Sequence, residues 1–235
     1  MRLLLISNSA SPGEGYLEKA SKHIQEFLGK QSLNIVFIPF AAVTYSYEEY
    51  EEKVNKRFAT FGQRVVSIHR AQRPIESVLR ADAIVVGGGN TFMLMKKMQE
   101  MGLIDAIRER VKSGAAYIGW SAGSNVACPT ICTTNDMPIV QPRTFEAFNF
   151  VPFQINPHYL YTHPSNHGGE TREMRIAEYL VANPDKWVVG LREGCIMKVE
   201  GNSINMIGEK SARIFKHNIE TKEINPGEDF QFLLK

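Results

Sequence analysis

The sequence predicts a doubly wound α/β fold, in which a mostly parallel sheet is covered by helices on both faces. Three observations support this prediction. Short, continuously apolar runs alternate with helical patterns through the first half of the chain, as buried parallel strands and crossover helices do. Two of these runs end in glycine-rich turns, at 87–89 and 119–123. The 235 residues are 43% hydrophobic and 22% charged, a globular composition that can form a sizeable core.

Five runs in the first half are predicted to be parallel strands. Each is apolar at successive positions rather than at alternating ones, which is typical of strands buried on both faces. These strands are 3–7, 34–40, 65–69, 83–88 and 115–120. The segments between them have helical patterns, so we expect right-handed crossover connections. The predicted helices are 16–30, 48–61, 75–81, 91–101 and 105–113.

The second half of the chain is less regular. Residues 128–168 contain six of the eleven prolines, which predicts a long loop of the kind that usually carries function. A helix is predicted at 170–181 and a strand at 187–191. A terminal antiparallel meander is predicted from the runs 195–200, 203–208 and 212–216. No linker or repeat divides the sequence, so we expect one domain of residues 1–235.

Composition excludes several functional classes. Lysine and arginine number 27 and aspartate and glutamate 25, and the net charge of +2 does not predict binding to nucleic acid or to an acidic membrane. No apolar stretch is long enough to span a membrane, and the start resembles no signal peptide, so a cytoplasmic setting is expected. The three cysteines include no CxxC pair, which argues against a disulfide framework or a zinc ribbon; they are Cys128, Cys132 and Cys195.

The segment GWSAG, residues 119–123, has the G-x-S-x-G pattern of a nucleophile elbow. A predicted buried strand precedes it, and a short helix is predicted at 124–128. In such a turn Ser121 would project its hydroxyl into the open, while side chains at Gly119 and Gly123 would collide with the strand and helix. The N–H of Ala122 would face a developing oxyanion. The alternative is a chance match, with Ser121 as a helix cap.

A second predicted strand ends in the glycine cluster VVGGGNTF, residues 85–92. The spacing of these glycines fits neither the dinucleotide-binding fingerprint nor the P-loop, so the sequence indicates neither a dinucleotide nor a nucleoside triphosphate as a ligand. Backbone N–H groups beside a serine elbow could complete an oxyanion hole, and Gly89 is the candidate donor. The alternative is a tight β–α turn in which Asn90 or Thr91 caps the next helix.

A serine hydroxyl needs a base to accept its proton, and histidine is the usual one. Three histidines lie in the long loop region, and His158 differs from His163 and His167 because it follows a strand-like run and a proline. His163 and His167 could suggest a metal pair. A spacing of four residues places two side chains on the same face only in a helix, however, and this segment resembles a loop. The others are more simply surface or core residues: His23, His69 and His217.

Glu193 directly follows the predicted strand 187–191, so it could orient a histidine at the same sheet edge, or it could be a solvated turn residue. The order Ser, His, Glu differs from the Ser, Asp/Glu, His order of α/β-hydrolases. Glutamine amidotransferases have a cysteine in a similar elbow, whereas this chain has Ser121. It also has no acidic residue two places after His158.

Five motifs together make the chain resemble the peptidase E family of α-aspartyl dipeptidases. They are GWSAGSNVACPT, TTNDMPIV, QINPH, GETRE and VVGGGNTF. The resemblance runs from LLLISNS near the start to the strand before Glu193, and the last forty or so residues show no recognisable match. The one visible departure is Ser124, where the family pattern has alanine.

This resemblance implies a serine peptidase with a class I glutamine amidotransferase-like fold. It implies that Ser121 is the nucleophile, His158 the general base and Glu193 the residue that orients the base. It further implies hydrolysis of dipeptides with an N-terminal aspartate (Asp-X), without metal or cofactor. Asp-X dipeptides would be the partner molecules, and the sequence does not indicate an oligomeric state.

An Asp-X substrate carries a side-chain carboxylate and an α-ammonium close together. Its pocket therefore needs a cationic group and an anionic group near each other. Arg172, at the start of the predicted helix 170–181, is the candidate for the carboxylate, because a guanidinium can bind it bidentately. Asp136 is the candidate for the ammonium, and Asn90 is a third candidate binding residue. The alternatives are an exposed arginine at a helix start and an aspartate that forms a turn.

Two other functions compete with the aspartyl dipeptidase. A cyanophycinase-like hydrolase would act on a β-aspartyl-arginine polymer, although the NDMP and GETRE segments argue against it. A non-catalytic binding module could use the same fold. Labelling of Ser121 by a fluorophosphonate would separate an enzyme from such a module.

Overall fold

A computed structural model describes residues 1–160 and 168–235, and the strands of these segments form two β-sheets. The first sheet has seven strands and the second has four. His163 and His167 lie outside the described residues. The mixed architecture confirms the predicted α/β class.

The first sheet contains all five strands predicted from the first half of the chain. These strands run parallel, in the spatial order β3, β2, β4, β5, β1. Their residues are apolar and buried, as the continuous apolar runs predicted, with three exceptions: Arg2 and Val66 are exposed, and Ser67 is buried but polar. The strands are β1 (Arg2–Ile6), β2 (Ile35–Ile38), β3 (Val65–Ser67), β4 (Ala83–Val86) and β5 (Ala116–Trp120).

Helices cover both faces of this sheet, which confirms the doubly wound arrangement. Leu4 and Ile6 of β1 share a core cluster with α1 (Ser21–Leu28) and α2 (Tyr47–Phe58). Leu3 and Leu5 point to the opposite face, whose cluster includes residues of three further helices. These helices are α3 (Pro74–Leu79), α4 (Thr91–Glu100) and α5 (Leu103–Lys112).

Helix α1 is shorter than the predicted 16–30. The backbone of Leu17 has a φ of 52°, in the left-handed region, and residues 16–20 form turns instead of helix. A left-handed residue cannot continue a right-handed helix. Helix α2 begins close to its predicted start because Ser46 and Glu49 form a reciprocal capping box.

The second sheet has the order β11, β10, β7, β6. Strand β6 (Gln154–Tyr159) and strand β7 (Trp187–Arg192) run parallel and are connected through α7 (Arg172–Ala182). The sequence predicted α7 and β7, whereas β6 lies inside the region predicted as a loop. Two prolines nearby and a register shift within β6 conceal the strand pattern.

The C-terminal strands are antiparallel, as predicted, but they do not form one meander. Strands β8 (Ile196–Glu200) and β9 (Ser203–Ile207) extend the first sheet beside β1. Strands β10 (Ala212–Lys216) and β11 (Ile219–Ile224) extend the second sheet beside β7. Both β1 and β7 offer an unpaired edge, and a strand pattern alone does not specify which edge a following hairpin joins.

One apolar cluster connects the two sheets. It contains Leu3 and Leu5 of the first sheet together with Ile155 and Val189 of the second. The one-turn helix α6 (Ala122–Asn125) packs between them and contacts both β5 and β6. This shared core places the carboxyl ends of β1, β4, β5 and β7 beside β6, and the predicted site residues lie there.

Candidate active site

Three side chains form a hydrogen-bonded chain where the two sheets meet. The Nε2 atom of His158 lies 2.9 Å from the Oγ of Ser121. The Nδ1 atom of the same ring lies 2.7 Å from the Oε1 of Glu193. The structure therefore brings together the three residues that the sequence analysis grouped as nucleophile, base and orienting carboxylate.

The backbone of Ser121 has the sharp turn that the glycine spacing predicted. Its φ of 53° and ψ of −113° are unusual for a residue with a side chain. A Cβ atom on Gly119 would lie 2.3 Å from the carbonyl oxygen of Gly123, and one on Gly123 would lie 2.2 Å from that of Val86. Both glycines are required sterically. Helix α6 begins directly after Ser121, two residues earlier than predicted.

His158 is held by a residue that the sequence analysis missed. His158 has a φ of 52° at a register shift of β6, and its N–H donates to the Oγ of Ser7 over 3.0 Å. The Ser7 hydroxyl in turn donates to the carbonyl of Leu191 in β7 at 2.8 Å. Ser7 is fully buried. The signal in the sequence was a polar residue immediately after the apolar run of β1, at the edge where the site forms.

Glu193 lies in the turn that follows β7. The next residue, Gly194, donates its N–H to the side-chain oxygen of the buried Asn8 at 2.8 Å. The side chains of His158 and Glu193 are 37% and 30% exposed. Their hydrogen bond is therefore partly shielded from solvent, while the imidazole stays accessible to a substrate.

One predicted oxyanion donor follows Ser121 in the serine turn, and the other belongs to the glycine turn that packs against it. Ala122 is the first residue of α6, and Gly89 belongs to the glycine turn after β4. Within the described part of the chain, neither N–H has a backbone acceptor. A Cβ on the adjacent Gly88 would lie 3.0 Å from the Cβ of Ser121, so the glycine turn packs directly against the serine. Gly89 has a φ of 133°, which an L side chain rarely adopts.

Arg172 lies in the same cleft as Ser121. The cleft has a volume of about 310 Å³ and is also lined by His158, Glu193 and Asp136. The Nη1 atom of Arg172 is buried and has no hydrogen-bond partner among the described residues. Burial lowers the pKa of the Arg172 guanidinium, and the neighbouring Arg175 adds to this effect. A buried guanidinium nitrogen that no described residue satisfies provides a site for an anionic ligand.

Asp136 lines the cleft, but one of its oxygens is already engaged. Its Oδ2 accepts hydrogen bonds from the N–H and Oγ1 of Thr91, at 2.8 and 2.6 Å, and from Oγ1 of Thr134 at 3.0 Å. Asp136 therefore also stabilises the N-terminus of α4. Only its other oxygen would be available to a ligand.

The side chain of Asn90 has the capping role that the sequence analysis considered as the alternative. Its Oδ1 accepts from the N–H of Met93 at 3.0 Å, which caps α4. Its Nδ2 donates to the carbonyl of Met137 at 2.9 Å. Both ends of the amide are engaged, and Asn90 is not among the residues that line the cleft. Substrate contact through this side chain receives no support from its position.

The remaining histidines of the described segments are not part of the cleft. His69, for example, bridges the hydroxyl of Ser67 and the carboxylate of Glu48. In residues 1–160 and 168–235, no cluster of three or more histidine, cysteine or acidic side chains could hold a metal ion. No helix within these segments is both long and apolar enough to cross a bilayer.

The chain is similar along its whole length to proteins named peptidase E. Peptidase E of Nostoc sp. is 52% identical over 234 residues, which cover 100% of this chain and 97% of that protein. Peptidase E of Salmonella typhimurium is 47% identical over 231 residues, covering 98% of this chain and 100% of the relative. The match therefore includes most of the C-terminal residues in which the sequence analysis found no resemblance.

A solved structure shows the same fold at lower sequence identity. The peptidase from an acI-B1 Actinobacterium superposes with a TM-score of 0.67 at 18% identity, covering 97% of this chain and 95% of that one. The model of peptidase family S51 matches residues 3–207, which include every residue of the hydrogen-bonded chain and of the cleft around it. The chain therefore belongs to peptidase family S51.

Proposed function

We propose that this peptidase is a serine-type dipeptidase that hydrolyses Asp-X dipeptides through an acyl-enzyme. The observation that carries the serine mechanism is the continuous hydrogen-bonded chain from Ser121 through His158 to Glu193. Its geometry is that of a nucleophile, a base within hydrogen-bond reach, and a carboxylate that orients the base.

In the first step, Ser121 Oγ attacks the aspartyl carbonyl carbon while His158 Nε2 takes the hydroxyl proton. Glu193 accepts the Nδ1–H of His158, which keeps Nε2 free to accept and stabilises the imidazolium that forms. The N–H groups of Ala122 and Gly89 stabilise the oxyanion of the tetrahedral intermediate, at about 3–4 kcal/mol for each donor. When the C–N bond breaks, the imidazolium donates its proton to the leaving amine.

The second step returns the enzyme to its starting state. The aspartyl group is then esterified to Ser121, and His158 removes a proton from an incoming water. The resulting hydroxide attacks the ester carbon through the same oxyanion site. Collapse of this intermediate releases aspartate and returns the proton to Ser121. No metal or cofactor has a role in either step.

Selectivity for aspartate rests on Arg172. No described residue hydrogen-bonds its buried Nη1, so a substrate carboxylate would satisfy the guanidinium with a charge-assisted, bidentate hydrogen bond. The free oxygen of Asp136 lies in the same cleft and suits the α-ammonium. The cleft volume of about 310 Å³ is at the lower end of small-molecule sites, which favours a dipeptide over a longer chain.

The serine mechanism is tested first. Ser121→Ala should remain folded, lose turnover by orders of magnitude and fail to react with a small fluorophosphonate. Near wild-type hydrolysis by the pure variant would refute the nucleophile. If neither protein reacted and neither cleaved any peptide, the chain would be a binding module on this fold.

The selectivity test compares Asp-Leu with Asn-Leu, which has the same size but no side-chain charge. Wild type should strongly prefer Asp-Leu, and Arg172→Ala should lose most of kcat/KM for it, because truncating one partner of such a pair costs about 2–5 kcal/mol. The matched control is Arg175→Ala, one turn further along α7, whose side chain is 70% exposed. Equal loss in both variants would refute a specific role for Arg172. Preference for a β-aspartyl-arginine substrate would favour the cyanophycinase-like alternative.

A further inference from the structure

A buried tyrosine donates a hydrogen bond to the glycine turn that follows β4. Tyr50, on α2, is only 2% exposed, and its hydroxyl donates to the carbonyl oxygen of Gly88 at 2.9 Å. That carbonyl and the N–H of Gly89 belong to one peptide unit. Because a trans peptide is planar, its C=O and N–H point in opposite directions. A bond that fixes the Gly88 carbonyl therefore also fixes the direction of the Gly89 N–H.

The Tyr50 hydroxyl is firmly placed by its surroundings. It accepts a hydrogen bond from the Nε1–H of Trp120 at 3.1 Å, and its ring packs edge-on against Phe37 with centroids 5.0 Å apart. A Cβ atom on Gly87 would lie 2.5 Å from the hydroxyl oxygen, so the glycine at this position makes room for it. Burial raises the pKa of Tyr50, so the hydroxyl remains a donor at neutral pH.

From this geometry we infer that Tyr50 is a positioning residue for the oxyanion hole. Its hydroxyl holds the 88–89 peptide in the plane that directs the Gly89 N–H toward the oxyanion formed at Ser121. The inference rests on the proposed serine mechanism and adds a residue that does not touch the substrate. The close approach of Gly88 to Ser121 places this peptide at the reacting centre.

The hydrogen bonds form one continuous series. Trp120 donates to Tyr50, Tyr50 donates to Gly88, and the N–H of the same peptide would donate to the oxyanion. Hydrogen bonds in such a series polarise each other, which strengthens the last donor. Trp120 directly precedes Ser121. The series therefore connects the nucleophile turn with the glycine turn through a single side chain.

Tyr50→Phe tests this inference because it removes the hydroxyl and keeps the ring. Loss of an oxyanion donor costs about 100- to 1000-fold in kcat, and a donor that remains but is less well directed should cost about 10- to 30-fold. KM for Asp-Leu should change little, since no ground-state contact is lost. The rate of fluorophosphonate labelling at Ser121 should fall by a similar factor, because the phosphoryl oxygen would occupy the same hole.

The matched control is Tyr47→Phe. Tyr47 lies on the same helix, and its ring packs against those of Phe40 and His69 with centroids 5.4 and 5.6 Å apart. The control makes the same chemical deletion on α2, at a tyrosine outside the hydrogen-bonded series of Trp120, Tyr50 and Gly88. It should keep the wild-type kcat and the wild-type labelling rate.

The outcomes separate this inference from the proposed function. If wild type is labelled at Ser121 and Tyr50→Phe retains its kcat and labelling rate, the role of Tyr50 is refuted and the serine mechanism stands. A rise in KM at constant kcat, or an equal loss of kcat in Tyr47→Phe, refutes it as well. Full activity of Ser121→Ala would refute both. Should Tyr50→Phe fail to fold, Trp120→Phe is the second variant, because it removes the donor to the Tyr50 hydroxyl. A severalfold lower kcat in this variant supports the hydrogen-bonded series from Trp120 to Gly88, and a wild-type kcat refutes it.

Discussion

The C-terminal hairpin carries a carboxylate whose removal should destabilise the fold measurably. Glu223, on β11, accepts hydrogen bonds from Nη1 and Nη2 of Arg192 at 2.6 and 2.7 Å, and from Nη1 of Arg213 at 3.0 Å. Arg213 also binds Glu173 on the first turn of α7 at 2.6 Å. This ion network connects the hairpin to the ends of β7 and α7. The perturbation is Glu223→Gln, which keeps the size of the side chain and removes its charge.

The lowered pKa of Glu223 gives the size of the expected loss in unfolding free energy. Hydrogen bonds from Arg192 are the largest cause that lowers it, from 4.5 to about 2. A shift of this size, at roughly 1.4 kcal/mol per pKa unit, corresponds to about 3.5 kcal/mol. The side chain is 38% exposed, so solvent screening reduces this to about 1–2 kcal/mol of unfolding free energy. Because the pKa is depressed in the folded state, this stability is present above pH 4.5 and is lost as the pH falls toward 2.

Urea denaturation at several pH values measures the effect. Glu223→Gln should unfold at a lower urea concentration than wild type at pH 7, and the difference should shrink as the pH falls below 4.5. Glu220→Gln is the matched control, since Glu220 lies on the same strand without an ion pair among the described residues. A pH-independent difference, or equal destabilisation by the control, would refute the assignment of stability to this network.

Four further predictions concern the serine turn, its base and the metal-free mechanism. Gly123→Ala should prevent correct folding, because its Cβ would lie 2.2 Å from the Val86 oxygen; thermal melting and solubility report this. Ser7→Ala should fold but show a lower kcat than Ser9→Ala, since His158 loses the acceptor for its N–H. His158→Ala should abolish turnover, because Ser121 then has no base within hydrogen-bond reach to accept its proton. EDTA should not change the rate, and inhibition reversed by zinc would contradict the metal-free mechanism.

The first sheet was predictable because burial on both faces leaves a direct record in the sequence. Runs such as residues 83–86 have no polar position, and each is followed by a helix pattern of sufficient length. The elbow was predictable for a related reason. Gly119 and Gly123 are required by contacts with backbone atoms close by, so their spacing reflects a local steric rule.

The second sheet was harder to predict because its pairing depends on distant partners. The side chains of β11 are mostly charged or exposed, and that strand is stabilised by the Glu223 ion pairs instead of by an apolar face. Strand β6 contains Pro157 and a register shift, which disrupt the pattern of a regular strand. Likewise, the substrate candidate Asn90 could be distinguished from a helix cap only once its partners at Met93 and Met137 were known.

The backbone at the two reactive residues explains why so much of the site depends on tertiary contacts. Ser121 and His158 both have φ values just above 50°, a conformation that costs energy for residues with a side chain. In isolation each segment would relax, and the 2.9 Å contact between them would be lost. At Ser121 the strained turn is held by the N–H of Ser121, which donates to the carbonyl of Ile6 at 3.0 Å, and by the close approach of Gly88. At His158 it is held by the Ser7 hydroxyl, which binds the strained N–H and anchors it to β7. The strand that begins the chain thus sets the geometry of a base 151 residues later.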